Sequence, residues 1–359
     1  MKPVKKRFGW RMISFLLAWG IIPISIAQIP PSDAYKPGSY FCIKAPATPV
    51  IDGVIAEKEW MSVPWTEDFK DITGVELPPP CIGTRVKMMW DDSCFYVAAE
   101  IPESNLWATY DKRDMVIFHE NDFEVFLDPD KDTHDYLELE VNALGTIWDL
   151  LLTKPYRDGG KPLNSFDVKG LNYGVRCYGS LNKPGDTDEK WTIELAYPWQ
   201  VIKEITGGKM GKPSAGDYWK VNFSRVQWDL EVKNDLYVKL KDDSGRDRKE
   251  HNCVWSPQGM VNMHMPEKWG LVIFCHQPNE KFRLDAVNED LIRWKLRQVY
   301  YQHREFYAKF GIYSTSPSAA GLRASDLDVK VNGETYSAKY CTGGKCWYLR
   351  EDGRIWRSK

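Results

Sequence analysis

The most informative segment of the chain is His119-Glu-Asn-Asp-Phe-Glu-Val-Phe-Leu-Asp-Pro-Asp130. In it, polar Asp122 and Glu124 alternate with apolar Phe123 and Val125 until a turn that contains proline. Successive side chains of a β-strand point to opposite faces, so this alternation predicts a half-buried strand with an acidic face. The segment therefore indicates a β-protein that carries carboxylates on one face of a sheet.

Other segments extend this β pattern on both sides. Upstream, Met88-Met-Trp-Asp-Asp-Ser-Cys-Phe-Tyr-Val-Ala-Ala-Glu100 has two apolar runs around an Asp-Asp-Ser turn, which predicts a hairpin. Intervals rich in Gly, Pro, Asp and Asn separate the strand-like runs, and this favours an antiparallel sandwich over a βαβ fold. Strands are predicted at 40–43, 84–90, 95–101, 123–127, 136–142, 148–152, 191–196, 219–227 and 270–274.

The chain has 359 residues, which suits one large β domain with an appendage. Residues 1–27 have a basic start, an apolar stretch and a small-residue end, and they predict a cleaved signal peptide and an exported protein. We expect a linker at 28–38 and the β domain at 39–276. The appendage, 277–359, is predicted to contain a helix over 289–310 and a small hairpin over 327–348.

Charge and cysteine content narrow the function. Signal cleavage would change the formal net charge from −2 to −7, since it removes five basic residues and no acidic one. An acidic protein is a poor partner for nucleic acid, and no segment after the signal is long and apolar enough for membrane insertion. Eight cysteines in an exported chain permit disulfides, and the predicted pair is Cys341 with Cys346 across a Thr-Gly-Gly-Lys turn. The pattern specifies no oligomeric state.

Both β segments, together with Val50-Ile-Asp-Gly53, Glu59-Trp60 and Glu267-Lys-Trp-Gly270, resemble the family 9 carbohydrate-binding modules. The resemblance runs from about Ser39 to Phe274. It implies a jelly-roll-like β-sandwich that binds plant- or polysaccharide-derived glycans noncovalently in carbohydrate catabolism. It also implies oligo- or polysaccharide as the partner and Ca²⁺ as a structural cofactor.

The resemblance also implies positions for the sugar site. Glu124 takes the place of the family's hydroxyl-binding glutamate, and Phe118 takes the place of a stacking tryptophan. The family's second platform corresponds to residues 252–266, where Met263 or His264 replaces the expected tryptophan. Aromatic faces for the sugar ring and polar groups for its hydroxyls are what sugar recognition requires. The predicted carbohydrate-binding residues are Trp107, Arg113, Phe118, Glu124, Asn142, Trp255, Asn262 and His264.

A turn directly after the acidic strand groups Asp128, Asp130 and Asp132. Clustered carboxylates suit Ca²⁺, which prefers oxygen ligands, although the turn lacks the glycine and terminal glutamate of an EF-hand loop. Calcium is therefore predicted at this turn, with a solvated acidic turn as the alternative.

Three other functions stay open. A glycoside hydrolase would use carboxylates such as Glu124 and Glu140, since such enzymes need a pair of them. A haem-binding protein, as in related DOMON sandwiches, would use Met115, Met263 or His264 as axial ligands. A structural surface role needs no ligand. The sequence contains no serine-hydrolase elbow, zinc-protease helix or nucleotide-binding loop, so no catalytic residues are assigned.

Overall fold

A computed structural model describes residues 35–75, 83–317, 322 and 324–358. The predicted signal peptide and most of the predicted linker lie outside the described residues.

Thirteen strands in the described part of the chain form one long, curled sheet. The strand order is β8-β7-β6-β5-β11-β15-β1-β3-β4-β10-β9, with β14 and β2 joined beside β11. The strands are β1 (Ser39–Lys44), β2 (Lys70–Asp71), β3 (Arg85–Trp90), β4 (Cys94–Pro102), β5 (Asp122–Asp128), β6 (Tyr136–Asn142), β7 (Ile147–Leu152), β8 (Pro162–Leu163), β9 (Asn172–Tyr178), β10 (Lys190–Pro198), β11 (Tyr218–Gln227), β14 (His251–Val254) and β15 (Gly270–Cys275).

The two halves of the curled sheet enclose the main hydrophobic core. From β5, alternate residues Phe123, Val125 and Leu127 point into it, and Phe123 stacks on Phe223 of β11 at 5.9 Å. The predicted hairpin is β3–β4, which pairs antiparallel from Arg85 with Glu100 onwards. The predicted all-β sandwich is thus confirmed. Smaller elements are the hairpin β12 (Leu230–Lys233) and β13 (Leu236–Lys239), and the helices α1 (Lys58–Met61) and α2 (Trp199–Ile205).

The C-terminal part is larger than the helix and hairpin that the sequence predicts. Helix α3 (Glu280–Phe310) begins before residue 289, because the Asn279 side chain accepts a hydrogen bond from the Lys281 amide and caps it. It ends at Gly311, whose φ of 70° is left-handed. Four strands follow, and they form an antiparallel sheet: β16 (Leu327–Asn332), β17 (Thr335–Thr342), β18 (Lys345–Arg350) and β19 (Ile355–Arg357). The predicted Cys341–Cys346 disulfide joins β17 to β18.

Helix α3 is fastened to the sandwich next to the loop that precedes β15. Glu267 of that loop accepts a hydrogen bond from Arg157 at 2.9 Å and another from the hydroxyl of Tyr301 on α3. Lys268 lies over the ring of Trp294, also on α3, at 4.5 Å. The helix therefore fixes the position of the loop before β15.

We expect the Glu267 contact to make stability depend on pH in the acid range. Burial opposes ionisation of Glu267, but the charges of Arg157 and Arg297 outweigh it and lower the pKa to about 2. A depressed pKa stabilises the fold above the ordinary value of about 4.5, and this contribution is lost as pH falls towards 2. Glu267→Gln should therefore cost about 3 kcal/mol at pH 7 and give a shallower decline of the melting temperature between pH 5 and pH 2.5.

Glu280→Gln is the matched control, because Glu280 is an exposed residue at the start of the same helix. Its stability should follow the parent protein at each pH. An unchanged pH slope in Glu267→Gln would show that the contact between Glu267 and Arg157 does not hold the loop.

Candidate functional site

A cleft of about 320 Å³ lies on the sheet face opposite the main core. Its floor comes from β5 and β6, and its rim comes from residues near Phe118, the 3-10 turn at Tyr156 and the loop before β15. This volume is at the lower end of the range of about 300–1,000 Å³ that is typical of small-molecule sites. The lining residues that carry the argument are Phe118, Glu124, Glu138, Glu140, Trp148 and His264.

Strand register places four carboxylates together on one face of β5 and β6, and three of them, Glu124, Glu138 and Glu140, line the cleft. Glu124 of β5 lies directly opposite Glu140 of β6, and Asp122 and Glu138 are two residues away on the same face. Oxygen atoms of Asp122, Glu124 and Glu140 lie within 4.8 Å of one another. All four side chains are buried, with at most 5% of each exposed.

These carboxylates lack the positive partner that buried acids usually have. Among the described residues, none of them forms an ion pair, and one oxygen each of Asp122, Glu124 and Glu138 has no hydrogen-bond partner. Burial raises the pKa of Glu124 to about 7, and burial followed by repulsion from Glu124 raises the pKa of Glu138 well above its usual value. The floor is therefore a desolvated surface whose carboxyl groups ionise less readily than usual.

Aromatic side chains form the walls. Phe118 and Trp148 stack with their ring centres 6.3 Å apart and their planes 28° apart. On the other side, His264 meets the edge of Tyr156 at 4.5 Å, and its Nδ1 lies 3.0 Å from the Tyr136 hydroxyl. Burial lowers the pKa of His264 to about 4, so its ring is neutral near pH 7. Flat apolar faces thus stand on both sides of an acidic floor.

The structure brings together four of the eight residues that the sequence predicts for sugar binding. Phe118, Glu124, Asn262 and His264 all line the cleft. Asn262 lies at the rim, where its side-chain oxygen accepts a hydrogen bond from the His264 amide at 3.0 Å.

The other four predicted residues lie away from the cleft. For three of them, contacts elsewhere in the protein explain this position. Asn142 is fully buried and uses its amide to bond Tyr110 O at 2.8 Å, while its oxygen holds the β6–β7 turn. Arg113 pairs with Asp149 and with Asp167.

Trp255 is only 8% exposed and packs in the main core. A Cβ atom on Gly270 would lie 2.4 Å from its ring, so the ring occupies the space that this glycine leaves. Trp107 is likewise 8% exposed and lies outside the cleft.

The cleft also contains residues that are absent from the predicted set of carbohydrate-binding residues. Trp148 stands opposite Glu140 across the β6–β7 ladder and lines the cleft. Glu138 and Glu140 follow the same two-residue period as Asp122 and Glu124, which was the available signal. Tyr156 comes from a 3-10 turn, for which periodicity gives no signal.

The turn at Asp128, Asp130 and Asp132 also groups its carboxylates within 4.8 Å, but these already have partners. Lys209 bonds Asp130 at 2.8 Å, and Arg354 bonds Asp132 at 2.7 Å. The two oxygens of Asp128 accept hydrogen bonds from backbone amides of the same turn. The turn therefore fits Ca²⁺ poorly, because basic side chains and amides supply the positive charge there. Calcium at this turn stays a prediction.

No helix in the described part of the chain is long and apolar enough to cross a membrane.

Residues 51–150 match the family described as "Carbohydrate family 9 binding domain-like". The chain is 27% identical over 164 residues to Exoglucanase XynX of Acetivibrio thermocellus, and 28% identical over 164 residues to Endo-1,4-beta-xylanase A of Thermoanaerobacterium saccharolyticum. These alignments cover 46% of this chain but 13% and 12% of the two relatives, so the chain spans about an eighth of their length.

Solved structures with a similar chain path are also known. One is a carbohydrate-binding module of family 9 from Caldicellulosiruptor kristjanssonii in complex with cellotriose, at 16% identity and a TM-score of 0.43 over 67% of this chain and 96% of that chain. Another is a putative carbohydrate-binding protein from Bacteroides uniformis, at 16% identity and a TM-score of 0.47 over 67% of this chain and all of that chain.

The packing of Trp255 leads to a prediction about stability. Trp255→Ala should lower the free energy of unfolding by about 3–5 kcal/mol, because it leaves a cavity in the core. Trp255→Phe should cost less, and urea denaturation measures both. Trp356→Ala, at a more exposed ring, is the control and should cost under about 1 kcal/mol. Unchanged stability in Trp255→Ala would instead make Trp255 available to a ligand.

Proposed function

This chain is a family 9-like protein over residues 51–150, and from that premise we propose that it binds carbohydrate noncovalently in the cleft. The observation that carries the proposal is the combination of stacked aromatic walls and a carboxylate floor in one cleft. A sugar ring presents an apolar C–H surface on its faces and hydroxyls around its edge. The cleft offers a partner for each.

Each part of the cleft has a role in this proposal. Phe118 and Trp148 give the flat surface on which a sugar ring would stack, and Tyr156 is a further ring in the lining of the cleft. Sugar hydroxyls would bond the oxygens of Glu124 and Glu138 that have no partner, because a carboxyl group accepts from a hydroxyl and, when protonated, also donates to one. The side-chain amides of Asn252 and Asn262, which also line the cleft, would donate hydrogen bonds to sugar oxygens.

The size of the cleft supports recognition of one end of an oligosaccharide rather than a long stretch of polymer. The curated relatives are named as glucan- and xylan-cleaving enzymes, so cello- and xylo-oligosaccharides are the first probes. We further propose that the protein is exported and serves carbohydrate catabolism. The basic and apolar start of the chain supports export.

A glycan array with the protein from Gln28, followed by calorimetry on each hit, tests the proposal. Phe118→Ala should weaken the affinity at least tenfold, because one aromatic anchor carries much of the energy in such a site. Phe310→Ala, at an exposed phenylalanine on α3, is the matched control and should bind like the parent protein. The melting temperature of both variants should change little.

Other results would favour a different function. Equal loss of affinity and stability in Phe118→Ala would mark Phe118 as a packing residue. Release of reducing sugar that Glu124→Gln abolishes would favour the hydrolase alternative. A Soret band after haem addition would favour the redox alternative, since Met263 and His264 also line the cleft. No binding on the array would contradict carbohydrate recognition.

A further inference from the structure

Unlike the buried acids Glu267 and Asp290, the carboxylates of the acidic floor have no basic partner among the described residues. Glu267 pairs with Arg157 at 2.9 Å, and Asp290 pairs with Lys220 at 2.9 Å, both in buried surroundings. An isolated buried carboxylate is costly, and several together add mutual repulsion. A cation at the floor would relieve this repulsion, because the floor has no basic partner of its own.

We propose that Asp122, Glu124 and Glu140 bind a divalent cation of the calcium class at the floor of the cleft. Their oxygens lie within 4.8 Å of one another. Calcium holds its ligands at about 2.3–2.6 Å, so two oxygens on one ion are separated by at most about 5 Å. The three carboxylates therefore already stand at a spacing that one ion can bridge.

A separate observation points to the same place. Glu138 lies outside the group of three, yet it is 5% exposed, faces the same cleft and has an oxygen without a partner. The Ser224 hydroxyl, opposite Glu124 across the β5–β11 ladder, adds a neutral oxygen beside the group. A fourth carboxylate and a hydroxyl are the ligands that a calcium ion would recruit next.

The donor set selects the type of ion. All the candidate ligands are oxygen atoms, and neither cysteine nor histidine is among them, which favours a hard cation over zinc. Magnesium demands near-ideal octahedral geometry at about 2.0–2.1 Å, whereas calcium accepts six to eight ligands in flexible geometry. A floor built from two strands and open on one side suits the larger, less demanding ion.

This cation site goes beyond sugar binding, because protein oxygens alone form it. Glu124 and Glu140 line the same cleft as Phe118 and Trp148, so an ion bound to them would lie beside the space that a ligand would occupy. If the proposed function holds, sugar hydroxyls would complete the coordination of the ion. The metal site and the sugar site can be tested one without the other.

Calcium and terbium titrations of the full chain, freed of metal with a chelator and without any sugar, test the site. We expect one saturable calcium site by calorimetry, and terbium emission on tryptophan excitation, since Trp148 stands opposite Glu140. Glu124→Gln and Glu140→Gln should each weaken calcium affinity at least tenfold. Both remove a buried negative charge, so their metal-free forms should melt no lower than the parent protein.

Asp130→Asn is the matched control, because it removes a carboxylate from the turn that Lys209 already neutralises. Its calcium affinity should change less than twofold. Calcium should also raise the melting temperature of the parent protein and not that of Glu140→Gln.

Three results would overturn the proposal. The first is that calorimetry shows no saturable binding of calcium up to millimolar concentration. The second is that Asp130→Asn loses calcium binding while Glu140→Gln keeps it. The third is that the metal-free protein binds glucosamine but shows no calcium site. The positive species at the floor would then be the ammonium group of a ligand. Calcium binding without any glycan hit would keep this inference and contradict the proposed function, whereas metal-independent glycan binding would do the reverse.

Discussion

The main constraint on this structure comes from four buried carboxylates. They lie on one face of β5 and β6 and have little contact with water. A sheet face that held Asp122, Glu124, Glu138 and Glu140 in solvent would need no cover and no ligand. Here at most 5% of each side chain is exposed, and the pKa of Glu124 rises to about 7 because of burial. Such a face needs a rim that shapes the space above it. The opposite face of the same strands forms the ordinary apolar core, so the function is confined to one side of the sheet.

The rim depends on the C-terminal part of the chain. The loop that carries Met263 and His264 ends at Glu267, which Arg157 and the helical residue Tyr301 hold in place. A buried ion pair of this kind adds little net stability, but removal of one partner is costly, so its effect is to fix one arrangement. Helix α3 thereby positions one wall of the cleft, although it contributes no side chain to the lining. The appendage and the β-sandwich thus shape the cleft together.

Local patterns predict much of the fold. The two-residue alternation predicts β5 and its acidic face, and the Asp-Asp-Ser turn predicts the β3–β4 hairpin, because both signals arise within one or two strands. Trp148 and Trp255 could not be placed in this way. Both sheet faces are covered by other elements, so a tryptophan meets a buried environment on either side. The strand pairing of Glu140 with Trp148 places the Trp148 ring at the cleft. The space beside Gly270 places the Trp255 ring in the core.

The two acidic groups show why spacing in sequence cannot identify a cation site. Asp128, Asp130 and Asp132 are as close in sequence as Asp122 and Glu124, and each group has oxygens within 4.8 Å. At the turn, Arg354 comes from the connection between β18 and β19, more than 200 residues away, and supplies the positive charge. On the strands, the neighbours are Glu138 and Glu140, which add negative charge. The difference lies entirely in long-range pairing: basic side chains and backbone amides meet the carboxylates of the turn, whereas further carboxylates meet those of the strands.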